Sequence, residues 1–308
     1  LTMKACEYDG RFLRRGVRPH ITVLEKVEFD EEQRRLISSA KNKKDRIGEP
    51  FLLDQVELLE ALAHLDEVGS LLIPTVEDMA ILRTTAASLE DETSIFGFKA
   101  KELISKALTE LEPLATKYDV VIANPPYLQK SALESWASEW VKEQYPEENN
   151  DLCTCFIKRG LEFTQRNGYV AEITMQSWMF LSSYEKMRKK LVAGYGLVSM
   201  AHLGAHAFDA IGGEVVSTTA TVFTNDKTQG KGAYFRLVDS SNEAEKSAAL
   251  REAIQNPDCG WFYHTDSENF KSIPGWPIAY WASEASRKAF AESVSLEDVA
   301  DVRIGMGT

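Results

Sequence analysis

The sequence predicts an α/β fold, and two patterns carry this prediction. Residues 120–123 form an uninterrupted apolar run, Val-Val-Ile-Ala, which suits a strand of a parallel sheet that is covered on both faces. Apolar stripes at helical spacing precede and follow this run. Because strand-like and helix-like segments alternate along the chain, we expect helices to pack on a mainly parallel sheet.

The region before residue 120 is predicted to be mostly helical. One apolar stripe leads directly into the strand and consists of Phe98, Ile104, Leu108 and Leu111. Residues 51–94 are leucine-rich and acidic, so we interpret 30–97 as a helical insertion. Closer to the start, residues 21–29 include a strand candidate, and Arg11, Arg14, Arg15 and Arg18 form a compact basic cluster, which is typical of a solvated loop or of phosphate contacts.

After the strand, capping residues and turns divide the chain into further elements. Asp151 is a predicted N-cap for a helix that Asn167-Gly168 would end, and residues 169–174 resemble the next strand. Ser182 to Glu185 has the pattern of a capping box at the start of a helix. Residues 198–203 and 215–223 are predicted strands, separated by a turn at Gly212-Gly213.

The segment Asn124-Pro125-Pro126-Tyr127 follows the apolar run and predicts a stiff loop at the carboxyl end of the strand. Each proline fixes φ, and the residue before a proline is biased toward extended geometry. In open α/β sheets this edge binds ligands. The loop is therefore the first candidate for a functional site.

In its ten-residue context, Tyr118 to Tyr127, this loop resembles the catalytic motif of amino-methyltransferases, especially the DNA adenine-N6 enzymes. The resemblance extends through residues 151–223 and is strongest to the large methyltransferases of type IIG restriction-modification and bacteriophage-exclusion systems. It implies a Rossmann-like class I methyltransferase sheet, represented here by its carboxyl-terminal half, with double-stranded DNA and other defence-system proteins as partners.

The residue types suit this chemistry. The exocyclic amine of adenine is a poor nucleophile because its lone pair is delocalised into the ring. Asn124 can direct a side-chain carbonyl at the amine, and Pro125 a backbone carbonyl without a competing N–H. Tyr127 offers a flat face for a flipped base, where stacking returns roughly 1–3 kcal/mol. We therefore predict Asn124, Pro125 and Tyr127 as catalytic residues, with Tyr127 also binding substrate.

The resemblance also assigns a second substrate contact. Phe208, in the block Leu203 to Phe208, takes the place of an aromatic residue that contacts the extruded adenine. An ordinary core aromatic is an equally good interpretation of Phe208.

The cofactor implied by the resemblance is S-adenosylmethionine, and Asn124 and Pro126 would form one wall of its pocket. The glycine-rich turn that holds this cofactor in the family does not precede Asn124, and Gly194-Tyr195-Gly196 follows a helix, as a helix end does. We therefore expect the chain to be a fragment of a larger protein, with circular permutation as a lesser alternative. Such a fragment is expected to be inactive alone.

The predicted domain division follows from these assignments. Residues 1–225 would form the partial catalytic domain, with its helical insertion at 30–97, and residues 226–295 a connector. Residues 296–308 would begin a target-recognition domain. In the connector, Trp276, Tyr280 and Trp281 are interpreted as packing anchors.

Composition excludes several other classes. The net charge of −12 argues against strong nonspecific DNA binding by this chain, and no apolar run approaches membrane length. Cys6, Cys153, Cys155 and Cys259 lack zinc spacing, and His202 and His206 are not spaced to converge on a metal, so we expect reduced thiols, no metal and a cytoplasmic location. The basic group at 186–190, which includes Arg188, is expected to be solvated.

Two alternatives to DNA adenine methylation stay open at this point. The same loop chemistry also suits modification of protein glutamine or of an RNA base. A noncatalytic DNA-binding or assembly subunit of a defence complex is the second alternative. The long insertion and the connector favour DNA, since a compact protein-modifying enzyme needs neither.

Overall fold

The computed structural model of the chain describes residues 20–42, 52–89, 93–208, 216–227, 230–294 and 296–300. Its internal packing divides the chain into two compact units, Leu1–Thr116 and Lys117–Thr308. None of the described helices has the length and hydrophobicity needed to cross a bilayer.

The first unit is helical in its described part. Its helices are α1 (Glu31–Asn42), α2 (Leu52–Ala63), α3 (Leu65–Val68), α4 (Val76–Ser88) and α5 (Ile95–Ala115). Helices α1, α4 and α5 pack against one another. Helix α4 begins at a capping box in which Thr75 and Asp78 exchange side-chain to backbone hydrogen bonds. The prediction of helices in this region is confirmed.

Two details of the first unit differ from the prediction. Residues 20–30 contain no strand and run as irregular backbone, which Glu25 ties to α5 by a hydrogen bond from its N–H to Glu110 Oε2, 3.0 Å long. Phe98 is 68% exposed, whereas Ile104 and Leu111 are fully buried. Phe98 lies six residues before Ile104, which does not keep it on the face of the later stripe.

The second unit contains a six-stranded mixed sheet. Its strands are β1 (Tyr118–Ala123), β2 (Thr164–Met175), β3 (Gly196–Gly204), β4 (Thr218–Thr224), β5 (Lys231–Arg236) and β6 (Phe262–Asp266). They are ordered β1-β2-β4-β3-β5-β6. Strands β1, β2, β3 and β5 run in one direction, and β4 and β6 run in the other. The predicted α/β, Rossmann-like class is confirmed.

Helices of the second unit connect these strands. They are α6 (Ser135–Gln144), α7 (Leu152–Phe163), α8 (Glu185–Gly194), α9 (Glu243–Gln255), α10 (Glu284–Glu292) and α11 (Leu296–Val299). Helices α7 and α8 contribute Ile157, Leu161, Met187 and Leu191 to a core shared with Val170, Met200 and Phe223 of the sheet. The strands that the sequence predicts at 169–174 and 198–203 are both confirmed.

Strand β1 departs from its prediction because it is not covered on both faces. It is the terminal strand of the sheet, and Val120 and Ile122 are 53% and 79% exposed. Val121, on the opposite face, packs against the core. The residues that the structure describes therefore cover one face of this strand.

Three local predictions in the second unit are wrong. Helix α7 ends at Phe163, and Asn167-Gly168 lies inside β2, where the pairing with β1 shifts and Asn167 has a φ of 65°. Ser182 does not cap α8, since a short 3₁₀ turn, Ser182–Tyr184, precedes Glu185. In the basic group at 186–190, Lys186, Lys189 and Lys190 are exposed as predicted, whereas Arg188 is buried and not solvated.

The sheet continues past residue 225, where the sequence predicts the connector to begin. Strand β5 pairs with β3, and β6 pairs with β5. The predicted turn at Gly212-Gly213, the basic cluster at 11–18 and the segment 301–308 lie outside the described residues.

Candidate active site

The loop Asn124–Tyr127 follows β1 directly, at the carboxyl end of that strand. Asn124 and Pro126 are exposed, Pro125 is buried and Tyr127 is partly buried. In the pairing of β1 with β2, Ala123 lies opposite Glu172, so Asn124 continues along the last residues of β2. A polar side chain and a backbone carbonyl are thus presented side by side at the edge predicted to bind ligands.

Hydrogen bonds hold the loop from both sides. The Tyr127 hydroxyl donates to the carbonyl oxygen of Ile173 in β2 over 3.3 Å. The N–H of Leu152 donates to the Leu128 carbonyl over 2.9 Å, and the N–H of Lys130 donates to Asn150. The loop is therefore fixed between β2 and the start of α7. Partial burial raises the pKa of Tyr127 to about 12, so its hydroxyl stays a donor at neutral pH.

The start of α7 is capped as predicted. The Asp151 carboxylate accepts a hydrogen bond from the N–H of Cys153 at 3.0 Å. Thr154, which the sequence pattern did not single out, donates its hydroxyl to the carbonyl oxygens of Glu148 and Asp151. The thiols of Cys153 and Cys155 are buried, and burial raises the pKa of each far above its usual range. These two thiols are therefore unreactive side chains of the core.

A second loop leaves the same edge from the end of β2. It begins with the 3₁₀ turn Gln176–Met179, and the indole of Trp178 is buried and donates to Thr174 Oγ1 at 3.1 Å. The Ile278 N–H donates to the Met179 carbonyl at 3.0 Å. The segment predicted as a connector is thereby hydrogen-bonded to the second loop.

Arg188 explains why this loop is well fixed. Its guanidinium donates to the carbonyl oxygens of Trp178, Leu181 and Gly275 at 2.9, 2.5 and 2.8 Å. These carbonyls satisfy the buried charge, which the sequence pattern placed in solvent. Arg188 is thus a structural link between α8, the second loop and residue 275.

Of the predicted packing anchors, Tyr280 is 2% exposed and Trp276 packs partly buried against the core, whereas Trp281 is 39% exposed. The packing interpretation is confirmed for Tyr280 and Trp276. It holds only in part for Trp281.

Phe208 lies beyond β3, four residues after Gly204, and is partly buried. It is therefore at the same edge of the sheet as Asn124 and Tyr127. The core of the second unit does not include it. Its role toward substrate stays a prediction.

His202 and His206, which lie four residues apart, differ in burial and in backbone conformation. His202 is buried in β3, whereas His206 is exposed and has a φ of 56°. Within the described ranges, no cluster of histidine, cysteine or carboxylate side chains could hold a metal ion.

The glycine-rich turn that the predicted cofactor would need is not found in the described part of the chain. No strand precedes β1 in the described part of the chain, so these residues contain no glycine-rich turn between a strand and a helix ahead of Asn124. Gly194 is the last residue of α8 and Gly196 the first of β3, which confirms the predicted helix end. Asn124 and Pro126 are exposed, and their role toward the cofactor stays a prediction.

Comparison with known proteins agrees with the resemblance predicted from the sequence. Residues 71–208 match the sequence model of the Eco57I restriction-modification methylase family. The adenine-specific methyltransferase BrxX of Escherichia coli O9:H4 (strain HS) is 34% identical over 315 residues, which cover 96% of this chain and 26% of BrxX. The adenine-specific methyltransferase PglX of Lacticaseibacillus casei (strain Zhang) is 40% identical over 197 residues, or 63% of this chain and 16% of PglX.

This chain therefore spans about a quarter or less of the length of these two relatives. Among solved structures, a chain from a type I restriction-modification system aligns over 96% of this chain and 64% of its own length, with 12% identity and a TM-score of 0.42.

Proposed function

We propose that this chain, in which residues 71–208 match a restriction-modification methylase family, is part of an adenine-specific DNA methyltransferase. The full protein would transfer a methyl group from S-adenosylmethionine to the N6 atom of an adenine flipped out of double-stranded DNA. The observation that carries this proposal is the Asn124–Tyr127 loop, fixed at the carboxyl end of β1 in a chain similar over 96% of its length to an adenine-specific methyltransferase.

In this proposal the catalytic contribution of the chain is to orient the amine. The exposed Asn124 would accept one N–H of the adenine amine at its side-chain oxygen. The carbonyl of Pro125 would accept the other, and the buried proline ring keeps that carbonyl in place. The Pro125 carbonyl belongs to a loop that is held by hydrogen bonds before the substrate arrives, so its alignment would cost little during the reaction. The lone pair of the amine is thereby directed toward the methyl donor.

S-adenosylmethionine, when bound, would supply the electrophilic methyl group. We assign Asn124 and Pro126 to one wall of its pocket, because both are exposed beside the loop that holds the base. Tyr127 would stack on the flipped base, and Phe208 would contact it from the end of β3.

The biological setting proposed here is restriction-modification or bacteriophage exclusion in the cytoplasm, with other defence-system proteins as partners. We also propose a catalytic region within 1–225, a connector at 226–295 and a target-recognition domain that begins at 296. The pairing of β5 and β6 with the catalytic sheet makes the connector a continuation of that sheet.

Replacing Asn124 by alanine in the full-length protein tests the central assignment. We expect single-turnover adenine methylation to fall by about 10²–10³, because a polar group directed at the reacting amine is lost, while DNA affinity changes by no more than a few-fold. Labelled methyl transfer should be measured into DNA, total RNA and protein in parallel. Methylation of DNA at the wild-type rate by Asn124→Ala, or labelling confined to RNA or protein, would contradict the proposal.

Tyr127 offers a second test that separates its ring from its hydroxyl. Tyr127→Ala should weaken capture of the flipped base by roughly 1–3 kcal/mol, and a mismatched target should partly rescue it because extrusion then costs less. Tyr127→Phe keeps the ring and loses the hydrogen bond to Ile173, so we expect a loss of about 1 kcal/mol in stability and little in base capture. Equal damage to base capture by both variants would show that stacking is not the role of Tyr127.

A further inference from the structure

Gln176 occupies a central position at the candidate site. It is the first residue after β2, and β2 lies between β1 and β3 in the order of the sheet. Gln176 is therefore placed between the Asn124–Tyr127 loop and Phe208 along one edge. Its N–H donates to the Ser217 carbonyl at 2.9 Å, which fixes its backbone, and its side chain is partly exposed.

The side-chain oxygen of Gln176 is engaged by a buried histidine. His202 Nε2 lies 2.7 Å from Gln176 Oε1, and His202 Nδ1 lies 3.0 Å from the Tyr280 hydroxyl. Burial, with smaller contributions from Arg236 and Lys246, lowers the pKa of His202 to about 4, so the imidazole is neutral and carries one proton. An amide oxygen only accepts, so that proton is on Nε2 and Nδ1 accepts from Tyr280.

Aromatic packing fixes the plane of this imidazole. The Trp281 ring is stacked on His202 at 6.1 Å between ring centres, and Phe180 contacts it at 6.0 Å. Tyr280 is 2% exposed and is stacked on Tyr234 at 5.1 Å. The plane of the imidazole is therefore fixed, with Nε2 directed at the Gln176 amide oxygen.

The consequence is a positioned donor at the edge of the sheet. With Oε1 held by His202, the amide nitrogen of Gln176 is turned to the other side, and no acceptor for it is present among the described residues. A fixed and partly exposed donor beside the proposed base pocket is suited to an acceptor on the ligand.

We propose that Gln176 binds the target base by donating a hydrogen bond from its amide nitrogen to a ring nitrogen of the extruded adenine, with His202 and Tyr280 as positioning residues. This inference rests on the proposed function. The amine of adenine is occupied by Asn124 and Pro125 in that function. The remaining polar atoms of adenine are ring nitrogens, which only accept, so a donor is the complementary group.

The test uses the full-length protein and target adenines that lack one ring nitrogen at a time, namely 1-deaza-, 3-deaza- and 7-deazaadenine. Equilibrium DNA binding and single-turnover methylation are both measured. For the wild type, we expect one of the three replacements to weaken binding by about 5–150-fold, the range for a good polar contact to a base. Gln176→Glu keeps the oxygen that His202 contacts and removes the donor. It should therefore bind the adenine target less tightly than the wild type by the same factor. The analogue that weakens binding by the wild type should cause no further loss in this variant.

Gln255→Glu is the matched control, since Gln255 is the exposed last residue of α9 and should leave all substrates unchanged. Tyr280→Phe removes the donor to His202 Nδ1 and frees the imidazole to change tautomer. We expect Tyr280→Phe to weaken binding of the adenine target by a smaller factor than Gln176→Glu does. Combining the two substitutions should cause no additional loss of affinity.

Gln176→Glu that keeps the wild-type pattern across the three analogues would overturn the inference while the proposed function stands. The binding measurement reports on Gln176 even if methylation is absent. A wild type that binds the adenine duplex without methylating it would contradict the proposed function alone.

Discussion

The two faces of strands β1 and β2 differ in a way that reverses the usual distribution of polar and apolar groups. On the face under α7, Val170, Glu172 and Thr174 are buried, and Glu172 is a carboxylic acid. On the opposite face, Ile122 and Tyr169 are 79% and 47% exposed. A carboxyl group is thus enclosed while aliphatic and aromatic side chains meet solvent.

This contrast shows that the hydrophobicity of a segment in the sequence does not determine which of its side chains the packing buries. The apolar run of β1 is suited to burial on both faces of the strand, but the described residues bury only one of these faces. Glu172 lies on the covered face between Val170 and Thr174, and in the described part of the chain neither of its carboxyl oxygens has a hydrogen-bond partner. Three substitutions, on the covered face, at its helix and on the open face, test this comparison.

Glu172→Gln should have the largest effect. Burial raises the pKa of Glu172 to about 8 from an ordinary value of 4.5, so the folded state holds a proton that the unfolded chain releases. Stability is full below pH 4.5 and is lost as the pH rises toward 8. At pH 7 the free energy of unfolding is therefore lower by about 3 kcal/mol than it is below pH 4.5, because of this one group. The uncharged side chain of Glu172→Gln would recover that loss.

The measurement is denaturant unfolding followed by tryptophan fluorescence at pH 5 and pH 7.5. All six tryptophans lie in the second unit, so the signal reports on the sheet. We expect Glu172→Gln to be close to the wild type at pH 5 and clearly more stable at pH 7.5. A gain that is equal at both pH values would show that Glu172 is ionised in the folded protein.

The sequence was sufficient where a structural feature depends on neighbouring residues. The Asn124–Tyr127 loop follows from a strand and two prolines, and the N-cap at Asp151 follows from one side chain and a helix start. Both are local effects of backbone geometry, so a sequence pattern contains them.

The sequence was insufficient where partners are far apart in the chain. Arg188 bonds the carbonyl of Gly275, 87 residues away, and His202 bonds Tyr280, 78 residues away. From the sequence alone, a basic residue on a helix is predicted to be solvated, because the distant segment that covers it is not known. That Glu172 has no hydrogen-bond partner among the described residues is likewise a property of packing, which a local sequence pattern does not contain.

Gly160→Ala should have an intermediate effect and tests how closely α7 lies on the covered face. A Cβ on Gly160 would lie 2.7 Å from Val170 Cγ1 and 2.7 Å from Glu172 Oε1. The glutamate end can move, but the branched valine cannot do so easily, so we expect a loss of about 1–3 kcal/mol despite the better helix propensity of alanine.

Gly194→Ala is the control for this substitution, because it lies in α8 and a Cβ there would meet no atom within 4 Å. It should be neutral or slightly stabilising in the same fluorescence assay. If Gly160→Ala is as well tolerated as Gly194→Ala, helix α7 does not press on β2 as closely as the structure indicates.

Ile122→Thr should have the smallest effect on stability and tests the open face directly. Threonine keeps the β-branched shape and replaces one carbon branch by a hydroxyl, which water can solvate at a side chain that is 79% exposed. We expect the free energy of unfolding of this chain to change by less than about 0.5 kcal/mol.

Val121→Thr places the same hydroxyl one residue earlier, against the core, where an unpaired polar group should cost about 1–3 kcal/mol. Both substitutions introduce a threonine hydroxyl, on opposite faces of β1, and Ile122→Thr also removes one exposed carbon, so the difference between their effects mainly measures the contrast between the two faces. Equal losses in the two variants would mean that the open face of β1 is covered in solution, by a second molecule or by another part of the protein.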